Sequence, residues 1–312
     1  MTQITQGLSY KFTLLGKELT SHHFQALANF FQRYHLVHVE SQTKTLSEGQ
    51  GHDATQFIVT AEQPFEILRD LCLSFSETEH VDLVVQSLDF NTKQCRLVCF
   101  DMDSTLIGQE VIDELAKEAG IGAQVAEITE RAMQGELDFQ ESFRARVALL
   151  KGLDIDVLEK IASRLTINEG AARLISTLKA QGIHTAIFSG GFQYFAEYLQ
   201  KKLGLDEVHA NTLDIQNGYV TGEVKGTIVD GARKAELLKE LSIKLDIGLE
   251  QTIAVGDGAN DLPMLSLAGV GVAFRAKPLV RKSAKQAISH VGLDGVLYLL
   301  DYSDNQIETN HI

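Results

Sequence analysis

Two aspartates one residue apart, Asp101 and Asp103, directly follow the apolar run Leu97-Val98-Cys99-Phe100. Carboxylates at the end of a buried strand repel each other and lose hydration, so this position is costly unless a cation joins them. Three further segments carry matching chemistry. Ser189-Gly190-Gly191 ends the apolar run at 184–188, Lys234 lies near the start of a helical pattern, and Asp257, Asn260 and Asp261 follow the run at 252–256. Carboxylate oxygens suit a hard cation such as Mg²⁺. A lysine beside them implies a second anion, and the backbone N–H groups of a Ser-Gly-Gly turn can cradle phosphate oxygens. Cation, ammonium and N–H donors form the electrostatic set that phosphoryl transfer requires, with an aspartate available as nucleophile. Taken alone, Asp-x-Asp fits a solvated turn or helix cap equally well; the ordered set of segments is what points to chemistry.

Something must bring these segments together. Apolar strand-like runs at 97–100, 184–188, 208–215, 252–256 and 270–274 alternate with helical patterns, among them 169–182 and 232–245. That alternation predicts an α/β fold with a doubly wound parallel sheet, in which ligands bind beyond the carboxyl ends of the strands. Residues 107–168, between the first two strands, have helical periodicity throughout and are far too long for a simple connection, so they read as a helical cap inserted into the core. In the cap, spacings of four, three and four set Phe139, Phe143, Arg146 and Leu150 on one helix face, with Arg144 pointing away. Glu110, seven residues after Asp103, offers the opposite charge near the same crevice. An amino-acid phosphate carries an ammonium and a carboxylate, for which Glu110 and Arg146 are the complementary pair; the alternative is that they neutralise each other or their neighbours.

Before residue 92 the pattern differs. Strand-like runs at 8–15, 36–42, 56–62 and 81–88 and helical runs at 20–33 and 64–75 give the order βαββαβ, a small α+β ferredoxin-like domain. The expected division is 1–92 for this domain, 93–106 and 169–300 for the core, 107–168 for the cap, and 301–312 for a tail that frays after Tyr302.

The ordered motifs Asp-Met-Asp-Ser-Thr, Ser-Gly-Gly, Lys234 and Gly-Asp-Gly-Ala-Asn-Asp-Leu-Pro-Met resemble the haloacid-dehalogenase superfamily over about residues 96–295, and in detail its phosphoserine-hydrolysing branch. The resemblance implies that Asp101 is the nucleophile and Asp103 the general acid and base. It implies Mg²⁺ held by Asp101, Asp257 and the backbone carbonyl of Asp103, with Asp261 in support. Ser189, the Gly190 amide, Lys234 and Asn260 would then hold the phosphoryl group, and Glu110, Arg146, Met133 and Phe139 the amino-acid part. The implied reaction is hydrolysis of O-phospho-L-serine to L-serine and phosphate through an aspartyl-phosphate, the last step of serine biosynthesis. The first domain resembles ACT-type regulatory domains in element order and in its Gly16-to-Leu19 turn, which implies an amino-acid effector and a homodimer.

Composition narrows the classes. A formal net charge of −14 over 312 residues argues against nucleic acid or an anionic membrane as general partner. No apolar run reaches membrane-spanning length, the first residues lack a secretory layout, and Cys72, Cys95 and Cys99 are too few and irregular for a disulfide framework or zinc site. A reduced, cytoplasmic protein is expected. His22, His23, His184 and His209 lack metal-ligand spacing and are expected to do no chemistry. Two rivals stay open: action on another small phosphomonoester, and a non-catalytic amino-acid sensor.

Overall fold

The computed structural model describes residues 8–49, 51–88 and 92–307. The first unit runs β1 (Leu8–Gly16), α1 (Ser21–Arg33), β2 (Val37–His38), β3 (Lys44–Ser47), β4 (Asp53–Ala61), α2 (Phe65–Glu79) and β5 (Asp82–Ser87). Its sheet has the order β2-β4-β1-β5, with β3 also beside β4 and β1 antiparallel to both neighbours. Alternate residues leave opposite faces of a strand. Tyr10, Phe12 and Leu14 therefore share one core with Leu27, Phe30, Leu68 and Phe75 of the two helices.

The second strand is shorter than the expected 36–42, because Glu40–Gln42 turn into a 3₁₀ helix. The stretch 43–55, expected to be a loop, contains β3 and the start of β4, which pair as a hairpin. Its turn is made by Gly49 and Gly51 at φ +71° and +97°, left-handed conformations that glycine adopts without steric cost.

The second unit runs β6 (Leu97–Phe100), α3 (Val111–Glu118), α4 (Gly122–Met133), α5 (Phe139–Ala148), α6 (Asp156–Arg164), α7 (Ala171–Ala180), β7 (His184–Phe192) and α8 (Gln193–Leu203). It continues with β8 (Glu207–Gln216), β9 (Tyr219–Lys225), α9 (Gly231–Lys244), β10 (Thr252–Gly256), α10 (Leu262–Leu267), β11 (Val270–Phe274), α11 (Pro278–Ser283), β12 (Gln286–Ile288) and α12 (Gly295–Leu299). The strand order is β12-β11-β10-β6-β7-β8-β9, parallel from β12 to β8. The central strands read as continuous apolar runs because both sheet faces are covered. Val98, Phe100, Ile187 and Val255 enter one core, while Leu97, Cys99, Phe188 and Ala254 enter another. The first strand, β6, is flanked by β10 and β7, so connections leave it in opposite directions and open a crevice at its carboxyl end.

Two strands add to the five expected ones. β9 returns antiparallel from β8 through Asn217 and Gly218, at φ +52° and +84°, and Asn-Gly is itself a hairpin signal. β12 is only three residues long, too short for a periodic pattern. α3 to α6 form the cap, and its entry and exit meet in a bridge between Ile107 and Ile167.

The other face of the first sheet is covered by the second unit. Lys11 reaches the Asp301 carboxylate at 2.6 Å, Gln56 donates to Asp301 at 2.6 Å and to the Tyr298 carbonyl at 3.0 Å, and Thr92 donates to Asp301 at 2.7 Å. The Asp82 carboxylate accepts the N–H groups of Ser289, His290 and Val291. These contacts correct the expected frayed tail. Asp301 is a hub, residues Asp304–Gln306 form a 3₁₀ helix, Asp304 accepts from Arg173 at 3.1 Å, and Ile307 is buried. Residues 308–312 lie outside the described residues.

Asp294 also joins the two units. One carboxylate oxygen takes His52 Nε2 at 2.8 Å and the other Arg173 at 3.0 Å. Burial alone would raise this carboxyl, but the His52 bond and the Arg173 guanidinium hold it below the usual range. Asp294→Ala leaves buried His52 without its carboxylate and Arg173 with only Asp304 and the Tyr298 hydroxyl, and a loss of about 3 kcal/mol in urea unfolding at neutral pH is expected. Because the folded carboxyl is depressed, its contribution is complete above about pH 4 and disappears as pH falls through the lower folded value. The stability gap between parent and variant should therefore narrow under acid conditions.

Candidate active site

The chain leaves the sheet at Asp101, whose N–H bonds the Val255 carbonyl of β10 at 2.8 Å. Lys234, on the first turn of α9, points back under it. Asp230 caps that helix by accepting the Arg233 N–H at 2.9 Å, which directs the turn into the core. The Lys234 side chain is fully buried, with Nζ 2.7 Å from Asp101 and 2.6 Å from Asp261. The second oxygen of Asp261 accepts the Gly258 N–H at 2.9 Å, and Asp257 accepts the Thr105 hydroxyl at 2.9 Å.

Asp101, Asp257 and Asp261 each offer an oxygen within 4.8 Å of the others. Three carboxylates thus face one ammonium. Burial, then the charge of Asp261, pushes Asp101 up to about 8 even with Lys234 beside it. Burial and Asp261 likewise push Asp257 up to about 6. For Lys234, burial would lower the pKa, but Asp101 and Asp261 override it and raise the value. The cluster is short of positive charge, and its all-oxygen donor set fits a hard divalent cation. Asp261, with both oxygens engaged, is suited to support such an ion, while Asp101 and Asp257 are suited to ligate it.

Asp103 stands against the carboxyl end of β7, which includes Ser189-Gly190-Gly191 and is irregular in register between Phe188 and Phe192. A side chain on Gly191 would meet Asp103 Oδ2 at 2.6 Å and Met102 Cε at 2.8 Å, so a larger residue there would displace the Asp103 carboxylate. Burial first, then the charges of Glu110 and Asp101, raises Asp103 well above its ordinary value. Ser189 is buried, and its Oγ accepts the Gly191 N–H at 2.8 Å, which leaves the hydroxyl proton free to be donated. Asn211, buried on β8, donates to the Gly190 carbonyl at 2.8 Å and accepts the Val229 N–H at 2.8 Å, tying this strand end to the segment before α9. Asn260 is half-buried in the 3₁₀ turn that also carries Asp261.

The cap closes over this floor. The Phe139 ring would lie 3.1 Å from a Cβ on Gly190, and it stacks on Phe143 at 6.1 Å between centroids. Gln140 donates to the Asp230 carboxylate at 2.6 Å, bridging cap and core. Phe143 and Leu150 are buried, Arg146 is half-buried and Arg144 exposed. Arg146 Nε donates to the Ser142 carbonyl at 3.3 Å, while Glu110 accepts the Ser104 hydroxyl at 2.6 Å. Among the described residues these two charges form no ion pair with each other. Met133 stands at the end of α4, 67% exposed.

The histidines stay outside. His22 pairs with Glu79, His23 bonds the Thr20 cap, and His184 and His209 lie beside Glu207. Sequence reasoning missed Thr105, Asn211, Gln140 and Asp230. Thr105 adjoins the Asp-x-Asp segment and could have been taken with it, whereas a lone Asn in an apolar run carries no signal of its own.

Residues 98–266 match the family of haloacid dehalogenase-like hydrolases. A phosphoserine phosphatase of Archaeoglobus fulgidus is 47% identical over 220 residues, covering 70% of this chain and 64% of that protein. The chain therefore spans less than two thirds of that relative's length. A phosphoserine phosphatase of Streptococcus thermophilus is 47% identical over 205 residues, covering 66% of this chain and 95% of its own length. The unliganded crystal structure of a probable phosphoserine phosphatase from Vibrio cholerae superposes with a TM-score of 0.78 at 37% identity, over 93% of this chain and 86% of that one. Among the described residues no helix is long and apolar enough to cross a membrane, and the three cysteines are buried free thiols.

Proposed function

The chain belongs to the haloacid dehalogenase-like hydrolases, and from that premise we propose that it is a phosphoserine phosphatase, hydrolysing O-phospho-L-serine to L-serine and phosphate. The observation that carries the reading is the triad of Asp101, Asp257 and Asp261 around buried Lys234, beneath a cap whose Glu110 and Arg146 form no ion pair with each other. The names of the relatives support the choice of substrate.

In the proposed mechanism an Asp101 oxygen attacks phosphorus while the bond from phosphorus to the serine oxygen breaks. Asp103, kept protonated by burial and by its neighbours, gives its proton to that leaving oxygen. Water then attacks phosphorus of the aspartyl-phosphate, Asp103 takes the water proton, and phosphate departs with Asp101 restored. The Ser189 hydroxyl and the Gly190 N–H bind phosphoryl oxygens, Lys234 balances their charge, and Asn260 orients the group. Glu110 meets the substrate ammonium and Arg146 its carboxylate, with Phe139 against the serine carbon chain. Asp101, Asp257 and the Asp103 carbonyl would hold Mg²⁺, supported by Asp261. The ion would supply positive charge to the phosphoryl oxygens and lower the pKa of Asp101.

The test is phosphate release from O-phospho-L-serine, with Mg²⁺ and with chelator, beside phosphothreonine and glycerol phosphate. Strong metal-dependent preference for phosphoserine is expected. Release from the other esters alone would discard the substrate, and silence on all of them would favour the sensor reading. Because the metal-free carboxylates hold protons near neutrality, ion binding must displace them. The half-saturating Mg²⁺ concentration should therefore fall as pH rises from about 6 to about 8; a flat profile would contradict the ligand assignment. An amino-acid effector at the first domain and a homodimer remain part of the proposal, tested on the full chain by serine titration and sedimentation.

A further inference from the structure

The segment after Asp103 is one tight turn. The N–H groups of Thr105, Leu106 and Ile107 all reach the Met102 carbonyl, at 3.3, 2.9 and 3.1 Å. Carbonyls 104 to 107 emerge from this turn, and all four meet Asn168, the residue at which the cap chain rejoins the core. Its N–H bonds the Leu106 carbonyl at 2.9 Å. Its side-chain Nδ2 donates to the carbonyls of Thr105 at 2.7 Å, Ile107 at 3.2 Å and Ser104 at 3.4 Å.

The turn needs such a clamp. Ser104 has φ +57°, a left-handed conformation that costs a non-glycine residue about 1 kcal/mol and survives only where its surroundings impose it. Its N–H is held by the Gln109 carbonyl at 3.2 Å and its own carbonyl by Asn168. Asp103, Ser104 and Thr105 are engaged in the site, Asp103 against Gly191, Ser104 on Glu110 and Thr105 on Asp257, while Leu106 and Ile107 are buried in the core.

The same residue sits at the pivot of the cap. Gly108 bonds the Thr166 carbonyl at 2.9 Å, and the Gln109 side chain exchanges bonds with the hydroxyl and N–H of Thr166 at 3.1 and 3.0 Å. Asn168 makes the last bonds of this ladder on the core side.

We propose that Asn168 is a positioning residue for the reaction, an inference that rests on the function proposed above. It touches neither substrate nor reacting atoms. Its amide fixes the turn of residues 104–107, and through it the register of Asp103 and of the Thr105 bond to Asp257.

The experiment compares the full-length parent, Asn168→Ala and Asn168→Ser on phosphoserine and on p-nitrophenyl phosphate across a Mg²⁺ series. Asn168→Ala should lower kcat about 30-fold with KM within about threefold, and raise the half-saturating Mg²⁺ about tenfold, as a displaced catalytic group would. Asn168→Ser keeps a hydroxyl donor near the Thr105 carbonyl and should recover part of the lost kcat. In metal-free protein, amide exchange over residues 103–107 should quicken in the alanine variant while the rest of the core holds. A kcat within twofold of the parent with unmoved Mg²⁺ dependence would overturn the proposal. So would a loss that only follows the folded fraction measured by circular dichroism. If the alanine variant does not fold, the serine variant carries the same comparison. A parent active on p-nitrophenyl phosphate but not on phosphoserine defeats the substrate reading while leaving Asn168 testable; a parent silent on both defeats both.

Discussion

Asp101→Asn should abolish phosphoserine turnover, by about 10⁴-fold or more, while leaving the fold intact. The exchange keeps shape and volume and still gives Lys234 an oxygen to bond, since Nζ is also held by Asp261 at 2.6 Å. It removes the oxygen proposed to attack, because an amide is a poor nucleophile, and it deletes one carboxylate from the proposed cation site. The folded variant should unfold at or above the parent temperature: a buried carboxyl pushed up to about 8 by burial and by Asp261 is strained by its ionised form. In the parent, quenching with acid during turnover should trap phosphate on the protein in a hydroxylamine-labile linkage, and the variant should trap none. Substantial turnover by purified Asp101→Asn would sink the assignment of nucleophile.

Lys234→Met should be damaging in two separable ways. Methionine fills much of the same space but withdraws the one ammonium from among Asp101, Asp257 and Asp261. Breaking a buried ion pair from one side costs about 3–5 kcal/mol, because the remaining charge is left uncompensated. The sign with pH follows. The folded pKa of Lys234 is raised, so in the parent its contribution is complete below the unfolded value and lost only as alkali takes pH through the folded one. In the variant, the orphaned carboxylates bind protons more tightly, so its stability deficit should shrink toward about pH 6 and grow toward about pH 9. Activity should drop by about 10³-fold at every pH where the variant is folded, since phosphoryl charge loses its fixed partner. A variant with parental stability at pH 8 would contradict the burial of this charge.

Asp101, Ser189, Lys234 and Asp257 were legible as a group because parallel strands joined through helices deliver their carboxyl ends to one edge. Spacing on a helix was likewise enough to separate buried Phe143 and half-buried Arg146 from exposed Arg144. Periodicity also set Met133 in the helical cap, where it ends α4, but its exposure of 67% could not be read from the sequence. Thr105 and Asn168 escaped notice because their importance lies in bonds to backbone carbonyls and to a carboxylate 152 residues away, which no local pattern encodes.

The amino-acid sequence by itself determined the family, the α/β core, the helical insertion and the small α+β unit before it. Those follow from periodicity and from charges that no buried strand end tolerates without a partner. Only the tertiary structure decided that the first sheet is covered on both faces. Lys11, Gln56 and Gln86 alternate with apolar residues as a solvated face would, yet all are buried. Burial of a polar group is decided by whether a partner meets it, and here the partners are Asp301 and the carbonyls of Tyr298 and Leu299, more than 200 residues along the chain. The same long-range pairing turned an acidic end that reads as frayed into the piece that joins the two units.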